Sequence, residues 1–144
     1  MNILKEKLNL MFEKNQQLVE RYALEQTYDN LSRFLKSEIM DSGKKFMSPY
    51  EYAKQCGESV PNALTLFFYL ASQQEGVLKI RYRYTCSHGN DTFMYEDELQ
   101  DFMCDEDCGC DEAFDLKEMI ESGAIDVPVF FEPHPEIKSE VFNT

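Results

Sequence analysis

The fold is decided by residues 48–85, which read SPYEYAKQCGESVPNALTLFFYLASQQEGVLKIRYRYT. Ser48 stands directly before Pro49 and three residues before Glu51. This is the pattern of a helix whose N-terminal cap is serine and whose first helical residue is proline, where the missing N–H costs nothing. The helix is predicted to run to about Cys56 and to end at the glycine that follows.

A second helix and a strand follow within the same stretch. The helix is predicted from residue 60 to residue 73 or 74, and Gly76 ends it. In residues 77–85 the side chains alternate in character, as they do in a strand with one buried face. One face contains Leu78, Ile80, Tyr82 and Tyr84, and the other contains the cations Lys79, Arg81 and Arg83.

Residues 46–85 therefore give a short helix, a glycine turn, a longer helix and an amphipathic strand. This order resembles a winged helix-turn-helix domain, with residues 28–42 as its first helix. The resemblance implies a winged-helix core, which we place at residues 45–85. Residues 1–44 are assigned to an N-terminal helical segment, because residues 2–42 contain neither Pro nor Gly.

The charge of the chain is strongly uneven. The net charge is −13, but residues 1–44 are neutral and residues 45–85 are slightly basic. Residues 86–144 contain 2 basic and 17 acidic side chains. This asymmetry predicts a boundary near residue 85 and a C-terminal part that repels phosphate backbones. The acidic part is either a solvated surface or a docking surface for a basic protein.

Four of the five cysteines lie in the same acidic third of the chain. Cys86 and His88 follow the strand, and His88 precedes a glycine; Cys104 and Cys108 come later, and Cys108 also precedes a glycine. This resembles a zinc ribbon, in which two tight turns each supply two metal ligands and a glycine closes the turn. The resemblance implies one structural zinc per chain, held by Cys86, His88, Cys104 and Cys108.

Other interpretations of the cysteines stay open. Cys110 competes with Cys104 or Cys108 as a ligand, and the ribbon could have lost its metal or serve a redox role. A disulfide framework is disfavoured, because no secretory signal precedes the cysteines. Cys56 is expected to be a small buried side chain, and His134 has no partner in the sequence pattern.

The C-terminal part completes an α+β fold class: N-terminal helices, a winged helix-turn-helix and a small β zinc-ribbon-like part. Residues 86–132 are predicted to form the acidic zinc-ribbon-like module. Within it we expect a short helix over 115–122 and a closing strand over 125–131. Residues 133–144 are predicted to be a flexible tail, because they have little to bury.

The function predicted is that of a non-enzymatic adaptor or regulatory subunit of a larger complex. The chain has no glycine loop for phosphate and no serine elbow, and the second helix contains no Lys or Arg, although DNA readers place cations there. A winged helix followed by a zinc ribbon also resembles the arrangement in the large subunit of the general transcription factor E of archaea and eukaryotes, which works chiefly through protein contacts.

Two alternatives come from other classes of protein. A DNA-binding transcriptional regulator would read bases with the second helix and contact phosphates from the strand. The residues for this role are Asn62, Thr65, Tyr69 and Gln73 on the helix and Lys79, Arg81 and Arg83 on the strand. An acidic immunity or inhibitor protein would instead neutralise a basic nuclease.

The expected partner is a basic protein or a subunit of the same complex, and nucleic acid is less favoured. A homodimer through the N-terminal helices is a further possibility, because an apolar seam contains Leu4, Leu8, Met11, Leu18 and Tyr22. The alternative for this seam is packing on its own chain. The longest apolar run, residues 64–71, is too short to cross a membrane, so we expect a cytoplasmic protein.

Overall fold

The structure is a computed structural model that describes residues 1–72 and 76–143. These residues form an α+β fold. The helices are α1 (Asn2–Lys14), α2 (Gln16–Arg21), α3 (Leu24–Leu35), α4 (Pro49–Cys56), α5 (Val60–Ser72), α6 (Leu116–Glu121) and α7 (Pro135–Phe142), with a π-helical turn at Lys36–Asp41. The strands are β1 (Leu78–Thr85), β2 (Asp91–Met94), β3 (Phe102–Met103), β4 (Ala113–Phe114) and β5 (Val129–Pro133). They form two small sheets, β2-β1-β5 and β3-β4.

The chain divides into two compact units. Unit 1 contains residues 1–79 and 131–144, and unit 2 contains residues 80–130. The division falls within β1 and β5, so both strands run from one unit into the other. Unit 2 overlaps most of the predicted module 86–132, while the C-terminal residues belong to unit 1.

The N-terminal segment is helical, as the sequence predicted, but it is broken into three helices. Asn15 is extended, with φ −128° and ψ 99°, and separates α1 from α2. The seam residues Leu4, Leu8, Met11 and Leu18 are at most 2% exposed. The seam is therefore buried in the core of unit 1, as the alternative of packing on its own chain predicted, and it does not present a free apolar face for a coiled coil.

The two helices predicted from residues 48–74 are present, and the caps of α4 are those that the sequence indicated. The Ser48 hydroxyl accepts a hydrogen bond from the backbone N–H of Glu51 at 3.4 Å, and Gly57 ends α4 with φ 66°. The predicted end of α5 at residue 73 or 74 lies outside the described residues. The two helices contribute Tyr52 and Phe67 to an aromatic cluster in the core of unit 1, together with Phe34 and Phe131.

The strands of the larger sheet have a definite order. The backbone N–H of Met47 bonds to the carbonyl of Phe131 at 2.7 Å, so residue 47 lies beside β5, and β5 lies beside β1. Hydrogen bonds from Arg83 to Pro128 and from His134 to Val77 show that β1 and β5 are antiparallel. The closing strand was predicted over 125–131 and is observed at Val129–Pro133.

The C-terminal residues form α7, and this corrects the expectation of a flexible tail over residues 133–144. Ile137 and Val141 are fully buried. The Glu140 carboxylate accepts hydrogen bonds from the backbone N–H groups of Ile3 and Leu4, at 2.7 and 3.0 Å. These N–H groups belong to the first turn of α1 and have no partner within the helix, so α7 caps α1 from a distance in sequence.

We expect the packing of α7 to weaken below about pH 6.5, the ordinary pKa of histidine. His134 caps α7, because its Nδ1 accepts a hydrogen bond from the backbone N–H of Glu136 at 3.2 Å. Burial, and then the charge of Lys7, lower the pKa of His134. As the pH falls, the unfolded chain therefore binds the proton before the folded chain does. The free energy of unfolding decreases as a result. Protonation also removes the acceptor lone pair.

The measurement is the urea midpoint of unfolding at pH 7.5 and 5.5. His134→Asn supplies a cap that does not titrate in this range, so its midpoint should fall less between the two values. Equal falls in the two proteins would show that His134 does not cause the change.

Within residues 1–72 and 76–143, no helix has the length and apolar character needed to cross a bilayer.

Candidate metal centre

Two hairpin loops of unit 2 carry the cysteines. In the first hairpin, β1 pairs with β2 from Tyr82 opposite Met94 to Thr85 opposite Asp91, and the loop between them contains Cys86. In the second, β3 pairs with β4, with Phe102 opposite Phe114, and residues 104–112 connect them.

The core beneath these loops is small. Met94, Leu99, Phe102 and Leu116 are the residues of its buried cluster, and each is at most 3% exposed. Partly buried side chains pack around them, among them Tyr84 and Phe114. A core of this size gives limited stability to a unit of about fifty residues, and small domains of this kind commonly need a metal or cross-links.

Both cysteine loops turn through residues with positive φ. Gly89 has φ 82° and Gly109 has φ 74°, so the two glycines that follow His88 and Cys108 occupy the conformation that the sequence pattern required. Asp111 has φ 58°, a left-handed conformation that aspartate tolerates better than most residues. This third turn lies directly after Cys110.

Four cysteines come together at these turns. The Sγ atoms of Cys86, Cys104, Cys108 and Cys110 all lie within 4.8 Å of one another, and those of Cys86 and Cys108 are 3.5 Å apart. All four thiols are free. Cys86 is buried and the other three are half-buried. The group could hold one metal ion, and it is the only group of three or more potential ligands found within residues 1–72 and 76–143.

His88, a predicted ligand, lies beside this group and is not a member of it. The exposed His88 ring places Nδ1 2.9 Å from the carbonyl oxygen of Cys108 and 3.9 Å from its Sγ. The hydrogen bond to that carbonyl favours the protonated ring and raises the pKa of His88. The structure therefore brings together Cys86, Cys104 and Cys108 as expected, but the fourth thiol is Cys110. One ligand comes from the first loop and three from the second.

The thiol of Cys108 has a hydrogen-bond donor of its own. The Asn90 side-chain amide donates to Cys108 Sγ at 2.9 Å. This donation stabilises the thiolate and lowers the pKa of Cys108 to about 6. A thiolate is the form of cysteine that binds metals, so the first loop assists a ligand of the second.

The Glu112 carboxylate joins the same two loops. It accepts hydrogen bonds from the Tyr84 hydroxyl at 2.6 Å, from the Ser87 backbone N–H at 2.8 Å and from the Ser87 hydroxyl at 3.0 Å. The bond from Tyr84, and then that from the Ser87 backbone, lower the pKa of Glu112 to about 2. The same contact raises the pKa of Tyr84 to about 12. Glu112 is therefore a firmly ionised acceptor.

The other acids of unit 2 are exposed. Residues 80–130, all of which are described, contain fourteen Asp and Glu residues, and every one except Glu112 is exposed. Three basic residues, Arg81, Arg83 and Lys117, accompany them in this unit. The negative potential predicted from composition is thus displayed on the surface of unit 2.

The helix residues of the DNA-binding alternative do not form a free surface. Arg21 donates to the Asn62 side-chain oxygen at 2.7 Å, and the Tyr69 hydroxyl donates to Gln17. Thr65 donates to the carbonyl of Pro61 in its own helix at 2.9 Å. Asn62, Thr65 and Tyr69 are thus half-buried. Asn62 and Tyr69 contact residues of α2, because α1 ends at Lys14 and α2 packs beside α5. Gln73 lies outside the described residues.

The strand cations of that alternative are also half-buried. The Arg81 guanidinium lies 4.2 Å from the ring centroid of Tyr95, and that of Arg83 lies 5.3 Å from the centroid of Phe130. Lys79 is half-buried and belongs to unit 1. Arginines stacked in this way contribute cation–π contacts to the fold, which reduces their freedom to reach a phosphate.

Comparison with models of protein families, with curated proteins and with solved structures finds no match to this chain.

One residue of the site, Cys110, had a recognisable signal in the sequence, and another, Glu112, had none. Cys110 stands one residue after Gly109, and two cysteines separated by one residue can both face one centre when the residue between them has positive φ. Glu112 carried no distinct signal, because it is one of twelve acids between Glu96 and Glu121.

Proposed function

We propose that Cys86, Cys104, Cys108 and Cys110 hold one structural zinc ion, and that the protein acts without catalysis as an adaptor or regulatory subunit in a larger assembly. The single observation that supports the metal site is that the Sγ atoms of four free cysteines lie within 4.8 Å of one another. The adaptor role rests on the charge and exposure of the unit that the metal would stabilise.

The spacing of the thiols fits a single small ion. A tetrahedral zinc with Zn–S bonds of about 2.3 Å places its sulfurs about 3.8 Å apart. The spacing of 3.5 Å between the Sγ atoms of Cys86 and Cys108, and the 4.8 Å limit for all pairs, agree with that value. Thiolate ligands select soft or borderline ions, and a tetrahedral set of four favours zinc or iron over magnesium or calcium.

A centre with four protein ligands supports a structural role. Catalytic zinc keeps one position for water or substrate, whereas structural zinc is closed by four protein ligands. The buried cluster of unit 2 has only four residues, which supports the proposal that a metal stabilises this unit. The metal would supply folding free energy to the two hairpin loops that hold it.

The strand order also supports the winged-helix proposal. Two helices, α4 and α5, precede a sheet in which residue 47, β5 and β1 are neighbours. In this arrangement β1 and β5 are the two strands of the wing, and the residues between them, including the cysteine loops, are an insertion in it. On this proposal, the zinc-ribbon-like part lies in the sequence between the two strands of the wing, and does not simply follow the winged helix.

A basic protein partner fits the surface better than nucleic acid does. Thirteen of the fourteen acids of unit 2 are exposed, and these charges repel a phosphate backbone. The helix α5, which would contact DNA bases in the DNA-binding alternative, contacts α2 through Asn62 and Tyr69. An acidic inhibitor of a basic nuclease, the second alternative, would use the same surface, since its partner is also a basic protein.

The experiment that tests the proposal has a metal arm and a binding arm. Protein purified without chelator should contain about one zinc per chain by elemental analysis. Zinc-loaded protein, but not Cys108→Ser protein, should retain from a lysate of the source cells a basic protein that elutes as salt rises past about 0.15 M, where exposed charges are screened. An electrophoretic mobility assay with genomic fragments at low salt is the competing test. Sequence-specific retardation there would contradict the adaptor proposal.

A further inference from the structure

One side chain connects the two cysteine loops. The Glu112 carboxylate accepts three hydrogen bonds from the end of β1 and the first loop, two of them from Ser87, the residue after Cys86. Glu112 itself follows Cys110 by two residues. Its backbone carbonyl accepts a hydrogen bond from the N–H of Cys104 at 2.9 Å. Glu112 is thus hydrogen-bonded to Cys104 and to Ser87, the neighbour of Cys86, and it lies two residues after Cys110.

We infer that Glu112 is a positioning residue that holds Cys86 of the first loop against the three cysteines of the second, so that the metal-binding arrangement exists before the metal arrives. This inference rests on the proposed metal site. The first loop contributes only Cys86, so its placement depends on contacts between the loops. Bonds to an ionised carboxylate are short and strong, and Glu112 makes three of them.

The expected consequence is a slower loss of metal. Ordering two loops around an ion costs conformational entropy, and a chain that has already ordered them releases the ion less readily. Removal of groups that orient metal ligands typically weakens metal binding by about 10- to 100-fold. Glu112 contacts the loops that carry the cysteines, and it affects metal binding through the positions of those cysteines.

The experiment measures zinc release from the full-length, zinc-loaded protein to a chromogenic chelator. Glu112→Ala removes all three side-chain bonds, and we expect it to release zinc about 10- to 100-fold faster than the wild type. Glu112→Gln keeps an amide oxygen as acceptor and should lie between the two. Glu106→Ala is the matched control, because it removes an exposed acid from the same loop, and its release rate should equal that of the wild type.

A second measurement separates positioning from loss of the fold. The Co²⁺-loaded Glu112→Ala protein should keep the thiolate-to-metal absorption of a four-cysteine site while it loses the ion faster. Tyr84→Phe removes one donor and keeps the ring that packs on Phe102 and Phe114. Its release rate should rise less, in the same direction, and this variant remains informative if Glu112→Ala does not fold.

Three results would overturn the inference. Glu112→Ala and Tyr84→Phe could release zinc at the wild-type rate. Glu106→Ala could release it as fast as Glu112→Ala, which would assign the effect to charge alone. Glu112→Gln could hold zinc more tightly than the wild type, which would mean that the carboxylate opposes the neighbouring thiolates. A wild-type chain that binds neither zinc nor cobalt would overturn the metal site itself, and the inference with it.

Discussion

With Cys110 replaced by serine, the purified protein should lose its stoichiometric zinc, whereas with His88 replaced by alanine it should keep about one zinc per chain. Cys110 Sγ lies in the group of four thiols, and His88 is engaged by the carbonyl of Cys108. Loss of one of four thiolates should weaken zinc binding by more than about 100-fold, since even orienting residues account for 10- to 100-fold. The measurement is elemental analysis together with competition by a chromogenic chelator.

Cys56→Ser is the matched control for this experiment. Cys56 is half-buried at the end of α4 in unit 1, outside the thiol group, so its replacement should leave the zinc content unchanged. Loss of zinc by His88→Ala and retention by Cys110→Ser would restore the ligand set first predicted from the sequence. Retention of full zinc by both Cys110→Ser and Cys108→Ser would show that the thiols do not form the site.

The loss of metal should also be visible in the backbone of unit 2. Its buried cluster has four residues, so without zinc we expect faster amide exchange over residues 80–130. Unit 1 has its own core, with Phe67 and Leu70 fully buried, and its amides should keep their protection. Equal loss of protection in both units of the Cys110→Ser protein would contradict this assignment.

The second large effect concerns α7. Ile137→Ala should lower the free energy of unfolding by about 2–5 kcal/mol, because the side chain is fully buried and its removal leaves a cavity. Urea unfolding followed by circular dichroism measures this loss. A destabilisation of that size is a large part of the stability of a domain of this length.

Lys138→Ala, at the exposed neighbouring position of the same helix, is the control and should change stability by less than about 0.5 kcal/mol. A mobile tail would make the two substitutions equivalent, so equal midpoints of unfolding would contradict the packing of α7. Glu140→Ala should fall between them, because it removes the acceptor for Ile3 and Leu4 at the start of α1 without leaving a core cavity.

Local patterns in the sequence predicted several helices and strands of both units correctly. The cap formed by Ser48 and Pro49 and the stop at Gly57 each depend on neighbours a few residues away. So does the strand predicted over residues 77–85, although the structure half-buries both of its faces from Lys79 to Tyr84 instead of burying one alone. The same holds for α6, where the Asp115 side chain accepts from the backbone N–H of Glu118 as expected for a cap. Features of this kind can be read from one sequence because the interactions are short in range.

The ligand set was only partly predictable, for a geometric reason. Sequence spacing indicated that Cys86, Cys104 and Cys108 could meet, since each belongs to a tight turn. The choice between His88 and Cys110 depends on where the two turns lie relative to each other. In the structure, the hydrogen bonds of Glu112 join the two loops and Asp111 turns the chain with a positive φ, and no spacing rule contains either feature.

By itself, the sequence determined the α+β class, the caps of α4, the amphipathic strand β1 and the concentration of acids and cysteines in the last third of the chain. Only the tertiary structure decided that the N-terminal seam is buried, that residues 135–142 form a helix and that Cys110 completes the thiol group. The physical reason is the range of the interactions. Caps and alternation act between near neighbours, whereas Glu140 reaches Ile3 and Glu112 reaches Ser87 across 137 and 25 positions of the chain.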